Sequence, residues 1–382
     1  MTDNLSPPSS SVAKTIPDYL GSAISADLSE GARGMLRDCV GVKAGERLLI
    51  VSEPKGVGYY DDDMAQATAA AARSSGLQVY ETQAPVSLNT TDDIAAFIEV
   101  LRGFDHVIFF ARVGDQLRFN DFTELPSSTM CYALDRDMLD SAFGTACYKG
   151  LCNVKALIDD AFQHAGHIRV TCAKGTDYVG KIQWQGNPVA DVSLKRFPML
   201  VPKPVPSEGF SGNVVLSRFL VGTGSHFYEP YSLPLTEDVH AEVQNNRLVR
   251  FNGSEKEVGR VNSHYEDIAK RYGVDPWYVH SWHAGIHPGC IFSSDARRNL
   301  LRWSGSAFGN PRVLHFHTCG EYAPGEISWI IIDPTIYIDG IAVWENGDLY
   351  PERLPGAEQV FKTHPKLRAL YSEPLRDIGL SD

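Results

Sequence analysis

Four prolines, Pro198, Pro202, Pro204 and Pro206, fall within nine positions near the middle of the chain. Each lacks a backbone N–H, and a central strand of a parallel sheet does not tolerate that density of missing donors. The stretch therefore divides the 382 residues into two parts of different texture. A chain of this length suits two domains, at about 150 residues each.

Before the prolines, apolar runs alternate with helical spacing. Arg47-Leu48-Leu49-Ile50-Val51-Ser52 reads as a buried strand, and the Ala-rich segment 62–75, closed by Gly76, reads as a helix. The order repeats with a strand at 77–82, a helix over 91–103 opened by Thr90-Thr91-Asp92, and a strand at 105–110. A helix over 153–165 then leads into a strand at 168–172. Alternation of this kind predicts an α/β N-terminal domain, residues 18–197, with a mostly parallel sheet. After the prolines come short runs at 214–221, 247–251, 313–316 and 330–332, one helix over 259–272, and a hairpin turn at Asp339-Gly340. The second part, 198–382, is expected to be a β-rich, largely antiparallel C-terminal domain that carries the active site. Residues 1–17 hold Pro7, Pro8 and Ser9-Ser10-Ser11 with few apolar side chains, and are expected to form a mobile tail.

Composition narrows the function. With 43% hydrophobic residues the chain can bury sizeable cores, and its net charge of -12 carries no basic cluster to neutralise phosphates. Nucleic acid and anionic membrane are excluded as expected partners. No run approaches the ~18 apolar residues of a membrane span, and the first residues lack the basic and apolar regions of an export signal. Seven cysteines without a CxxC pair fit reduced thiols. These features predict a cytoplasmic protein acting on a small molecule.

Gly56-Val57-Gly58 follows a strand and precedes a helix, as a dinucleotide-binding loop would. The third glycine is missing, and Asp61, Asp62 and Asp63 would repel a pyrophosphate at the helix start. Neither NAD nor flavin is expected, and the acids read as helix-capping residues.

Histidines carry the strongest chemical signal. Five of the twelve lie between positions 279 and 318: His280, His283 and His287, then His315 and His317 in Leu-His-Phe-His-Thr-Cys-Gly-Glu. Residues two apart on a strand share a face, so His315 and His317 can serve one site. A carboxylate, Glu321 or Glu326, follows closely, and imidazoles with a carboxylate are a normal set for Zn, Fe(II) or Mn. His283, His287, His315 and His317 are therefore the expected metal ligands, with Glu321 or Glu326 as general acid or base. Each histidine alone is more often a hydrogen-bonded structural residue than a ligand; the grouping of five is what points to a site. Cys319 in the same segment is an alternative nucleophile. Trp282 and Tyr322 are candidates to pack against a planar substrate, and Glu208 is a further candidate for substrate binding or proton transfer.

Several segments resemble a known family. His167-Ile-Arg-Val-Thr-Cys-Ala-Lys-Gly-Thr-Asp-Tyr is similar to the strand and Gly-Thr-Asp turn of the aminopeptidase T-like metalloenzymes, which include the 2,5-dihydroxypyridine 5,6-dioxygenase branch. Val42-Lys-Ala-Gly-Glu-Arg-Leu-Leu-Ile, the Pro-Ser-Glu-Gly at 206–209 and Gly285-Ile-His-Pro resemble further landmarks in the same order, over about residues 42–343. The resemblance implies a homodimer of two-domain chains with a metal site in the second domain. In the dioxygenase branch one iron ligand would fall at His280 or His283. A later His-x-Asp pair would fall near Glu326-Ile-Ser328, and this chain lacks it. The ligands of the aminopeptidase branch do not map cleanly either.

Without the residues specific to O₂ activation, the expected activity is hydrolysis of a small N-heteroaromatic compound, with water-derived oxygen replacing an amino, halo or nitro substituent. An Fe(II)-dependent ring-cleaving dioxygenase is the first alternative. An aminopeptidase-like or thiol-dependent hydrolase, or a member that only binds a ligand, are the others.

Overall fold

A computed structural model describes residues 29–88, 90–117, 125–183, 194–222 and 228–380. The expected tail at 1–17 lies outside the described residues. Three sheets organise the described residues.

The first sheet is parallel and five-stranded, in the order Gln78–Gln83, Arg47–Ser52, His106–Phe110, Ser127–Cys131, Lys195–Phe197. Its inner strands are almost wholly buried, as in a sheet whose two faces are both covered. The helix Met64–Ser74 turns Ala69, Ala71 and Ala72 inward, and Thr91–Leu101 begins at a capping box between Thr90 and Asp93. This confirms the mostly parallel N-terminal sheet.

The other two sheets are largely antiparallel. One has six strands in the order Ser232–Pro234, Phe219–Val221, Glu326–Ile332, Val313–Cys319, Val279–Ala284, Val205–Pro206. The proline-rich stretch supplies only the two-residue edge strand, where a missing donor does least harm. The other has eight strands in the order Arg247–Asn252, Val239–Gln244, Phe210–Leu216, Asp177–Gly180, Ile168–Thr171, Thr335–Ile338, Ile341–Glu345, Asp348–Leu349. The turn at Asp339-Gly340 links two of these strands, with both residues at positive φ as such a hairpin requires.

One strand departs from expectation. Ile168–Thr171 follows a helix as a parallel strand would, yet it joins the eight-stranded sheet, antiparallel to Asp177–Gly180 and to Thr335–Ile338. A tight turn through Gly175, at φ 99°, folds the chain straight back and leaves no crossover.

The six-stranded sheet has two different faces. Leu314, Phe316, Ile327, Trp329 and Ile331 belong to one core, shared with the eight-stranded sheet. The alternate residues Val313 and Ile330 join the core of the N-terminal α/β part. The histidine-bearing face is therefore turned toward the N-terminal half.

Candidate metal centre

The site is built on three adjacent antiparallel strands, Val279–Ala284, Val313–Cys319 and Glu326–Ile332. His283 lies directly opposite His315 in the register, and His317 lies two residues further on the same face. One ring nitrogen from each of the three comes within 4.8 Å of the others, and His283 and His315 are buried. Ring centroids are 4.3 Å apart for His283 and His315, and 5.0 Å for His315 and His317. Phe308 stacks on His315 at 4.1 Å and holds its plane.

Hydrogen bonds turn the rings. His283 donates from Nδ1 to the Pro202 carbonyl at 3.1 Å, and His317 places Nδ1 2.5 Å from Oε1 of Glu326. The remaining nitrogens, Nε2 of His283 and Nε2 of His317, approach to 3.2 Å. A ligating imidazole characteristically donates its other N–H to a carbonyl or carboxylate, which fixes the tautomer and raises its basicity. Both histidines show that pattern. Glu326 is itself buried, and the Ser328 hydroxyl donates to its Oε1 at 3.4 Å.

Groups that spacing could not reveal come from elsewhere in the chain. Tyr231 is held by Ser304 at 2.6 Å and lies within electrostatic range of Glu326, Arg112 and Asp115; burial pushes its hydroxyl well above the usual tyrosine range. Arg112 forms a buried two-point ion pair with Glu53, Nε to Oε1 at 2.7 Å and NH2 to Oε2 at 3.0 Å, and lies over the Tyr59 ring. Glu53 and Arg112 sit just beyond the carboxyl ends of the parallel strands Arg47–Ser52 and His106–Phe110, on the N-terminal side, whereas Tyr231 belongs to the C-terminal half.

Other sequence candidates stand apart. His280 directs Nε2 to the Cys319 carbonyl at 2.8 Å, so His283 is the one that faces the group. His287 is outside the group: it is fully buried edge-on to Phe143 and accepts from the Gly289 N–H at 3.1 Å, and burial pushes it down to about 3. Glu321 is exposed and accepts from Tyr322, itself 48% exposed, while Glu326 points inward. Trp282 projects to the opposite face from His283 and packs against Phe162 and Phe210 in the core, as the period of two dictates. Glu208 is half-buried in the turn between Val205–Pro206 and Phe210–Leu216. Burial pushes the Cys319 thiol up to about 12, so it stays protonated at neutral pH, the form that does not attack.

A separate cavity of about 410 Å³ opens at the carboxyl ends of the parallel strands, lined by Glu53, Tyr60, Asp61, Asp62, Glu81 and Phe110 among others.

The fold has a solved counterpart. A 2,5-dihydroxypyridine dioxygenase from Pseudomonas putida matches over 85% of this chain and 97% of its own, at a TM-score of 0.55 and 14% identity. AmpT from Thermus thermophilus matches over 81% of this chain and 94% of its own, at a TM-score of 0.44 and 11% identity. No protein-family model matches the sequence, and no curated protein matches it at a significant level. The likeness is one of fold. Among the described residues, no helix is long and apolar enough to cross a membrane.

Proposed function

We propose that the chain is a metal-dependent hydrolase of small N-heteroaromatic compounds, with the metal held by His283, His315 and His317. The observation that carries this reading is the donor set. Three imidazoles converge, and the nearest carboxylate, Glu326, is engaged by the Nδ1 of His317. Non-haem iron sites for O₂ use two histidines and a carboxylate, whereas three imidazoles with an open position are a catalytic zinc set. A divalent metal bound there supplies Lewis-acid activation of water, lowering its pKa toward about 7.

The protein's own groups do the rest. Glu326 holds His317 in one tautomer and is the buried carboxylate nearest the group, placed to stabilise positive charge on that ring. Phe308 and the buried rings around it keep bulk water from the imidazoles, which strengthens every charge interaction inside. An electron-poor azole or pyridine accepts negative charge on its ring nitrogen while water adds and an amine, halide or nitrite leaves. The fold shared with a dihydroxypyridine dioxygenase supports a substrate of this size and planarity.

The test is turnover of amino-, halo- and nitro-substituted azoles and pyridines under anaerobic conditions in ¹⁸O-labelled water. Label in the hydroxy or oxo product is the expected result. Strict dependence on O₂ with ring cleavage would instead establish the dioxygenase reading.

A further inference from the structure

Cys147 occupies the N-cap of the 17-residue helix Tyr148–His164 and is the exposed member of the seven cysteines. Its Sγ lies 3.3 Å from Nδ1 of His364, and the other ring nitrogen, Nε2, lies 3.3 Å from the side-chain amide of Asn153. His364 comes from the junction between the helices Ala357–Thr363 and Pro365–Ser372, more than 200 residues away in sequence. Cys147, Gly150 and Asn153 are spaced three apart and share one helical face. Gly150 admits the imidazole: a Cβ there would meet Cγ of His364 at 3.1 Å and its Cβ at 3.2 Å.

Together these supply a nucleophile, a base in contact with it, and a group that orients the base. Arg37, on the segment Met35–Val40, feels the charge of Cys147, as does Cys152 on the same helix. Other thiols are poor competitors. Burial pushes Cys39 up to about 11 and Cys131, Cys290 and Cys319 up to about 12.

We propose that Cys147, His364 and Asn153 form a reactive-thiol site, distinct from the histidine group, whose reagent is a small hydroperoxide. Exposure favours a diffusible reagent over a substrate that has to be enclosed. The thiol gives its proton to His364 and the sulfur attacks one peroxide oxygen. An S–O bond forms as the O–O bond breaks, and the departing hydroxide takes the proton back from His364 as water. Sulfur is oxidised by two electrons to a sulfenic acid and the peroxide is reduced by two; one external thiol then forms a mixed disulfide with loss of water, and a second displaces the cysteine as free thiol.

The experiment labels the full-length protein with iodoacetamide across pH 5–10 and follows each cysteine by mass spectrometry. Half-buried Cys172 serves as the internal reference. Cys147 is expected to react at neutral pH at least ~10-fold faster than Cys172. His364→Ala and Asn153→Ala are expected to remove most of that advantage. Limiting hydrogen peroxide followed by dimedone is expected to mark Cys147 first. Equal rates at Cys147 and Cys172 in the unaltered protein, or dimedone adducts spread over other cysteines, overturn the proposal. So does an unchanged Cys147 rate in a folded His364→Ala variant.

Discussion

His317 and Glu326 meet diagonally across two antiparallel strands, ring Nδ1 to carboxylate Oε1 at 2.5 Å. In the register His317 faces Ser328 and Glu326 faces Cys319, so the pair spans one step of the ladder on a shared face. The contact commits one nitrogen of His317 and leaves the other directed at His283. The behaviour of the site follows from that division.

Replacing His315 or His317 by Ala removes one of three converging nitrogens. Metal content of protein purified without chelator is expected to fall at least ~10-fold, with activity lost in parallel. Thermal unfolding should remain cooperative, because the strands keep their apolar partners on the opposite face. Full metal occupancy in either variant would show that the imidazoles do not hold it.

Glu326→Gln keeps the shape but removes the charge that pairs with His317. A ~10–100-fold loss in metal affinity or rate is expected, the usual effect of an outer partner of a ligand. Glu321→Gln should leave both unchanged, since Glu321 is exposed and bonded to Tyr322. Isothermal titration with zinc and steady-state assays of the two variants decide the matter.

Acid should destabilise the fold through buried histidines. His287 is pushed from the ordinary value of 6.5 to about 3 by burial, and half-buried His264 to about 4. Below pH 6.5 the unfolded chain takes up protons that the folded chain refuses, so stability falls with pH until about 3 for His287. Each such group adds a slope of up to about 1.4 kcal/mol per pH unit. Urea unfolding between pH 4 and 7 should show the decline, and His287→Leu should flatten it whatever its effect at pH 7.

The junction between the two halves has a steric test. Gly305 packs on Tyr59, and a Cβ there would fall 1.7 Å from the phenolic oxygen. Tyr59 is buried, with Arg112 over its ring, so relieving the clash means repacking the core around it. Gly305→Ala is expected to cost about 1–3 kcal/mol, as overpacking does, read as a lower Tm, and to weaken activity by shifting the N-terminal wall of the site.

Much of the site was legible because period two is a strong rule. Spacing alone placed His315 and His317 on one face, and the parallel sheet was visible in runs such as Arg47 to Ser52. Spacing could not separate His283 from His287, which are four apart; only the strand's pairing with Val313–Cys319 does so. Glu321 and Glu326 looked equivalent because the turn between them hides which begins the next strand. Trp282 looked like a substrate platform until its alternation with His283 sent it to the core. Ile168–Thr171 was misplaced because a strand after a helix reads the same whether its next neighbour is parallel or folds straight back. Tyr231 and Arg112 gave no local signal at all, since Tyr231 comes near Glu326 and Arg112 only through pairing and packing between segments far apart in sequence.

The two faces of the six-stranded sheet carry a consequence for how such a protein can change over time. The three converging histidines ride on one slab, anchored from behind by the eight-stranded sheet, whereas Arg112, Tyr59 and their neighbours belong to a different part of the chain. Replacements in the loops of the first half can therefore reshape what is admitted without moving the chemistry. Diversification of preference and retention of reactivity are separable here, because they are inherited through different segments.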